Sequence, residues 1–440
     1  MPVPVPVQKK VSSRNMSQSH NPTVQIFGLG YVGLPTAAVF ADAGLRVIGV
    51  DVNQSAVDSI NAGQPHIVEP HLEELLKKVV ASGNLVATTT PKPADIFVIA
   101  VPTPFKGDKQ PDLSFVQSAS DMIAPLLKAG DLVILESTSP VGTTDQISKW
   151  LAAERSDLIF PHQDQAGCNI HLAHCPERVL PGKVIYEVVH NDRIIGGMTP
   201  ACSAAAVNFY QYAVKGECHI TNARTAELAK LSENTFRDVN IAFANELSLI
   251  CDRLDIDPWA LIALTNRHPR VNILQPGPGV GGHCIAVDPW FIVAGAPEEA
   301  RLIRTAREIN DAKPQWVVSK VRAAIADFLV ANPRKSEADV TVACFGLAYK
   351  PDIDDLRESP AVEIVRTLGA EFAGQLIVVE PNITLLPNAL AKCAELSSIN
   401  NACKAADIAL LLVNHRAFSG MDLSRFPAEL VINSVGYGKS

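Results

Sequence analysis

Two short stretches of the chain hold residues whose types and spacing suit chemistry: Gly28-Leu29-Gly30-Tyr31-Val32-Gly33 and Gly279-Val280-Gly281-Gly282-His283-Cys284. In the first, Gly28 permits a tight turn, Gly30 lets the backbone approach a pyrophosphate, and Gly33 allows close helix packing with the helix amides turned toward the anion. The motif follows the apolar run 24–27 and opens a helical pattern over 34–43, the context that separates a dinucleotide fingerprint from a chance glycine repeat. Asp51 ends the next apolar run, 46–50, where a carboxylate can accept hydrogen bonds from the adenosine ribose. A carboxylate there repels a 2′-phosphate, and no arginine follows in Val52, Asn53 or Gln54, so NAD is favoured over NADP.

The glycines around Cys284 allow a substrate to come close to the backbone and suit a thiol held for attack on a carbonyl; the alternative is a structural cysteine buried in a turn. Asp288 follows one turn later. His283 makes no obvious dyad with Cys284, because adjacent side chains point apart. Lys230 and Asn234 lie one helical turn apart on one face, where a lysine and an amide can stabilise an oxyanion or hold a water, or can simply be solvated. His171, His174 and Cys175 have metal-like spacing, but no further ligand cluster accompanies them and no metal is expected.

These residues need a scaffold, and 440 residues suffice for roughly two to four domains. Hydrophobic residues are 47% and charged residues 19%, which excludes a disordered or fibrous chain. A net charge of −8 without a dense basic stripe argues against nucleic acid or an anionic membrane as the main partner. Nine cysteines with no C-x-x-C pair read as reduced thiols, and with no signal-peptide pattern the expected compartment is the cytoplasm. Residues 1–21 read as a flexible tail, with Met16 an alternative start. Apolar runs at 24–27, 46–50, 95–101 and 132–136 alternate with helical spacing at 72–80 and 115–127, which predicts a parallel sheet covered on both faces. The 161–169 run reads as a loop. From about 202 to 263 the pattern turns helical, with a long central helix over 221–254, and a further helix runs from 300 to 310. At 339 the strand grammar restarts, with strands at 340–346, 376–380, 407–413 and 430–436 and a helix over 360–368.

The segments ESTSPVGTT, CPERVLPG, AELAKLSEN, GVGGHC and FGLAYKPDIDDLRESP follow the glycine motif in this order, and the series resembles the UDP-glucose/GDP-mannose dehydrogenase family over residues 23–440. RHPRVNILQPGPGVGGHCIAVDPWF, VPTPFKGD and NDRIIGGMTP are most similar to the branch acting on UDP-N-acetylhexosamines. The resemblance implies an α/β fold of two Rossmann-like doubly wound domains joined by a long central helix. It implies an NAD-binding domain over 22–201, a central helical dimerisation region with the cysteine loop over 202–320, and a UDP-binding α/β domain over 321–440. The implied reaction is a four-electron oxidation at C6 of UDP-N-acetyl-D-mannosamine by NAD and water, for a surface polysaccharide such as enterobacterial common antigen. UDP-N-acetylglucosamine oxidation and a non-catalytic sensor are the alternatives. Residue by residue it makes Cys284 the nucleophile and Lys230 the catalytic lysine, with Asn234 and Asp288 beside them and Thr138 and Glu177 ordering water. Tyr31, Val32, Asp51, Thr103 and Thr144 would meet the dinucleotide, and Arg357 would reach toward it. Arg178, Val179, Arg237, His268, Arg270 and Gly281, with Lys230 and Asn234, would hold the sugar nucleotide, and Tyr349 and Lys350 its uridine diphosphate end. A homodimer built on the central helix is implied as well. One departure is Pro181, where UDP-glucose members carry a second acidic residue, and this argues against UDP-glucose as substrate.

Overall fold

The computed structural model describes residues 21–180, 182–282 and 284–438, so Met16, most of the expected tail, Pro181 and His283 lie outside the described residues. The chain divides into two compact units, one through Ser232 and one from Glu233, and the division falls inside the helix Ala223–Arg253.

In the first unit eight strands form one sheet. Their spatial order is Cys218–Asn222, Arg193–Gly197, His171–His174, Leu132–Leu135, Ile96–Ile99, Thr23–Phe27, Arg46–Val50, Leu85–Thr88. The pairings are parallel except where His171–His174 meets Arg193–Gly197. Strand alternation explains why both faces are apolar. Val24, Ile26 and Val98 pack on one side with the helices Gly33–Asp42 and Leu72–Ala81, while Phe27, Phe97 and Ile99 pack on the other with Ser114–Ile123 and Thr143–Glu154. After Thr23–Phe27 the chain builds outward to one side and then returns to build the other. The crevice at the carboxyl ends of Thr23–Phe27 and Ile96–Ile99 is therefore a topological switch point, and the glycine turn lies there.

In the second unit five parallel strands are ordered Glu395–Leu396, Gln375–Val379, Thr341–Phe345, Ile408–Leu411, Val431–Asn433. Val342, Cys344, Leu376 and Val378 pack against Val317 and Val321 of Arg301–Ala331 and Ile364 and Leu368 of Pro360–Glu371; Ala343, Phe345, Ile377 and Val379 pack against Ala402 and Phe418. The loop after Thr341–Phe345, at this sheet's own switch point, carries Tyr349 and Lys350.

Two sequence expectations change. The helical reading of 202–263 contains the strand Cys218–Asn222, which adds a sheet edge because its Ile-Thr pair extends the ladder beside Arg193–Gly197. The helix expected to stop near residue 310 runs from Arg301 to Ala331 through Pro314. An interior proline costs roughly 3 kcal/mol. Its ring lies against the glycine-rich loop, since a Cβ at Gly279 would sit 3.3 Å from Pro314.

Candidate active site

In the first unit the glycine motif divides by function. Gly28 has φ +87°, and a Cβ there would lie 2.7 Å from the Ala100 carbonyl oxygen; one at Gly33 would lie 1.9 Å from the carbonyl oxygen of Gly28. Both glycines are demanded by the protein's own packing. Gly30 is different, because nothing lies within 4 Å of its added Cβ. That open space borders the start of Gly33–Asp42, a helix with no side-chain cap and no acidic residue in its first turn. Asp51 accepts from the backbone N–H of Leu29 at 2.8 Å and of Asn53 at 2.9 Å, which leaves carboxylate lone pairs for ribose hydroxyls. The cradle and the carboxylate fit NAD. Tyr31 is exposed and Val32 half-buried at the rim. Thr103 donates its hydroxyl to the Thr138 carbonyl at 2.6 Å, which ties two loops at the carboxyl edge of the sheet.

Thr144 is turned inward. Its hydroxyl donates to Glu227 at 2.7 Å, and the Thr144 and Gly142 amides donate to the same carboxylate at 2.8 and 2.6 Å. Glu227 is fully buried and caps the helix Thr143–Glu154 from 83 residues away in sequence. Burial pushes its carboxyl up, and the Gly142 and Thr144 donors oppose that. Glu227 was not singled out in the sequence because a glutamate on a helix normally faces water.

Glu177 is buried and forms an ion pair with Arg193 at 2.5 Å, while Arg193 also meets Glu136 at 3.2 Å. Arg178 donates its backbone N–H to Glu177 at 2.6 Å, and Arg178 and Val179 are half-buried beside it. Glu136 and Arg193 were also missed; the signal was a charge at the edge of an apolar strand in each case. Lys230 is half-buried on Ala223–Arg253. His171 and His174 stand three apart on one strand and so point to opposite faces. Burial pushes His174 down to about 3 and the Cys175 thiol up, and among the described residues no cluster could hold a metal.

In the second unit Cys284 is exposed, which removes the alternative of a buried structural thiol. Its carbonyl accepts from Val287 at 3.1 Å and Asp288 at 2.9 Å, so the cysteine turn leads directly into the helix Asp288–Gly295. Asp288 is 3% exposed and accepts from the Asn234 amide at 2.5 Å. One helical turn separates Asn234 from Lys230. A Cβ at Gly281 would lie 2.4 Å from the Glu358 carbonyl oxygen and one at Gly282, with φ +84°, 2.9 Å from the Tyr349 ring. Only glycine lets the cysteine loop and the Tyr349 loop pack this closely. Lys350, Arg237, His268 and Arg270 are exposed, the last donating its backbone N–H to His268 at 3.3 Å. Arg357 makes a bidentate pair with Asp355 at 2.9 and 2.7 Å within its own loop.

A second missed set braces the cysteine loop. Asn245 accepts from the Gly277 amide at 2.9 Å and donates to Asn310 at 2.8 Å; Asn310 donates to Asp238 at 2.8 Å, and Asp238 pairs with Arg307 at 2.6 Å. Nearby, Lys313 is 2% exposed, donates to Ser248 at 2.5 Å and lies 3.7 Å from the Trp316 ring centroid.

Comparison with known proteins matches three domains of one family along the chain. The NAD binding domain of the UDP-glucose/GDP-mannose dehydrogenase family matches residues 22–214, its central domain 224–312 and its UDP binding domain 343–435. An NDP-N-acetyl-D-galactosaminuronic acid dehydrogenase of Ralstonia nicotianae is 58% identical, over 94% of this chain and 96% of that protein. A UDP-N-acetyl-D-mannosamine dehydrogenase of Yersinia pestis is 57% identical, over 94% and 98%. The solved UDP-N-acetyl-mannosamine dehydrogenase of S. aureus superposes with a TM-score of 0.80 at 44% identity, over 93% of this chain and 92% of that one. Among the described residues no helix is long and apolar enough to cross a membrane. The cofactor is NAD, the activity is nucleotide-sugar dehydrogenation, and the chain belongs to the UDP-glucose/GDP-mannose dehydrogenase family.

Proposed function

We propose that the protein oxidises C6 of UDP-N-acetyl-D-mannosamine to the carboxylate, giving UDP-N-acetyl-D-mannosaminuronate and two NADH per sugar. The observation that carries this reading is the exposed Cys284 thiol, set in glycines that pack on the Tyr349 loop and followed by the buried Asp288, which the half-buried Asn234 holds. NAD, when bound along Gly30 and Asp51, supplies a hydride acceptor for each of the two oxidation steps. Cys284 adds to the intermediate aldehyde as a thiohemiacetal, which prevents its escape; loss of the second hydride leaves a thioester, and water releases the acid and restores the thiol. Lys230 stabilises the alkoxide and the tetrahedral oxyanion, and Asn234 and Asp288 orient water or take a proton. Thr138 and Glu177 order water near the reacting carbon, and Glu177 is the second proton acceptor. Tyr31, Val32, Thr103 and Arg357 are proposed to meet the cofactor, and Thr144 to act through the start of the helix Thr143–Glu154 rather than by its hydroxyl, which Glu227 takes. Arg178, Val179, Arg237, His268, Arg270 and Gly281 bind the sugar nucleotide, and Tyr349 and Lys350 its diphosphate.

The domain roles proposed are cofactor binding over 22–201, dimerisation and the thiol over 202–320, and UDP binding over 321–440. A homodimer is supported by Phe236 at 73% exposure, Phe243 at 52% and Ile250 at 46%, which recur every seven residues along one helix and need a cover. Nucleotide sugars and NAD are cytoplasmic metabolites, which argues for that compartment, and the product suits surface-polysaccharide synthesis such as enterobacterial common antigen. The similarity to the Ralstonia relative favours UDP-N-acetyl-D-galactosamine as the second reading. A panel of UDP-N-acetyl-mannosamine, -galactosamine, -glucosamine and UDP-glucose, scored by kcat/KM and NADH per sugar, decides. Highest kcat/KM on the mannosamine sugar with two NADH is the expected result. Preference for another sugar, or one NADH per sugar, would overturn the reading, and no turnover on any of them would favour a sensor.

A further inference from the structure

Glu177 does not stand alone. Arg193, at the first position of its strand, lies between two carboxylates, with Glu177 at 2.5 Å on one side and Glu136 at 3.2 Å on the other. Relative exposure is 2% for Arg193, 2% for Glu136 and 8% for Glu177. The guanidinium also lies over the Tyr210 ring, 4.8 Å from its centroid. Resting on the reading of Glu177 as a proton acceptor, we propose that Arg193 is its positioning residue and that Glu136, behind Arg193, is the partner that competes with it for the guanidinium.

The argument is one of charge and place. Two carboxylates facing one guanidinium leave one negative charge in excess, and a buried excess charge is costly. The cluster relieves it by keeping one proton. The other titratable groups facing the cluster are Cys175 just past the strand His171–His174, Tyr210 on the helix Pro200–Tyr210 and Cys218, which pairs with Arg193 on the neighbouring strand; burial pushes all three up, so all three stay neutral. Thr36, on the helix Gly33–Asp42, faces Glu136 and carries no charge. Glu136 is the place for the proton: burial and the charge of Glu177 push it up to about 7, against the pull of Arg193. Glu177 lies beside the half-buried Arg178 and accepts from its backbone amide, on the more exposed side of the cluster.

Below about pH 7 Glu136 is neutral, and Arg193 spends its charge on Glu177 alone. Above that pH Glu136 is ionised and Arg193 is shared between the two carboxylates. The general base is thus held differently on the two sides of that pH, so kcat steps through neutral pH. Arg193 also fixes the carboxylate's direction through its planar fork, which a lysine can replace in charge but not in geometry.

The test is kcat and KM against pH for the wild type, Glu136→Gln, Arg193→Lys, Arg193→Met and Glu177→Gln. Glu136→Gln is nearly isosteric and should keep its KM values while losing the step near neutral pH. It should also abolish an infrared band of a protonated buried carboxyl, a signal independent of turnover. Arg193→Met should lower kcat by about a hundredfold with little change in KM, the range typical of a lost general base, and Arg193→Lys should restore part of it. If Arg193→Met fails to fold, Glu136→Gln carries the test. A Glu136→Gln profile that superimposes on the wild type, or Arg193→Met at wild-type kcat, overturns the inference. Glu177→Gln at wild-type kcat would instead remove Glu177 from the reaction and overturn the reading beneath it.

Discussion

Gly30→Ala separates a ligand-imposed glycine from fold-imposed ones within one six-residue motif. The added methyl group would meet no protein atom within 4 Å, and Gly30 does not have the positive φ that strains other residues. A glycine-to-alanine change at such a place leaves stability unchanged or raises it by about 0.4–1 kcal/mol. The methyl would, however, occupy the space where the pyrophosphate approaches the backbone. Losing one hydrogen bond to a charged phosphate costs about 1.5–3 kcal/mol, and about 1.4 kcal/mol is a tenfold change in affinity. NAD affinity by calorimetry should therefore fall about tenfold to a hundredfold while the apoprotein melts at or above the wild-type temperature. Gly33→Ala is the control: its Cβ would stand 1.9 Å from the Gly28 carbonyl oxygen, so it should lower the melting temperature first. NAD binding by Gly30→Ala within a factor of two of wild type would refute the argument that the open space is the pyrophosphate site.

Three further outcomes are expected. Cys284→Ser should bind NAD normally in calorimetry but fail to sustain turnover, and two NADH per sugar at a near-normal rate would dispose of the thioester route. Phe236→Glu with Phe243→Glu should convert the proposed dimer to monomer in sedimentation, because two charges cannot be buried opposite an apolar stripe; a dimer that survives both changes places the interface elsewhere. Burial pushes Lys313 down from 10.5 to about 7. The unfolded chain thus holds a proton that the folded one has released between these values, and the contribution to stability rises with pH across the window, at most about 1.4 kcal/mol per unit. Urea midpoints from pH 7 to 10 should rise more steeply for wild type than for Lys313→Met, and equal slopes would contradict the shift.

Much was legible in the sequence wherever local physics decides. Strand, glycine turn and helix at 24–43 could be read because the apolar period and the glycines act over a few residues, and the long helix Ala223–Arg253 because nothing breaks its pattern. Cys284 and Asp51 stood out by residue type beside a recognisable turn, and Lys230 by its one-turn spacing from Asn234 on a helix face. The strand Cys218–Asn222 was hidden because a five-residue edge strand draws its order from Arg193–Gly197, not from itself. The run of the second long helix past Pro314 was hidden because the cost of the proline is local, whereas its packing against the Gly279 loop comes from elsewhere in the chain.

By itself the sequence determined the dinucleotide motif, the α/β alternation, the family and the identity of the candidate thiol, since each depends on residue type and short spacing. Tertiary structure alone decided that Glu227 caps a distant helix, that Asn245 and Asn310 brace the cysteine loop, and that Glu136 and Glu177 share Arg193. A charge or an amide has no fixed meaning until folding removes its water and supplies a partner, and those partners lie tens of residues away.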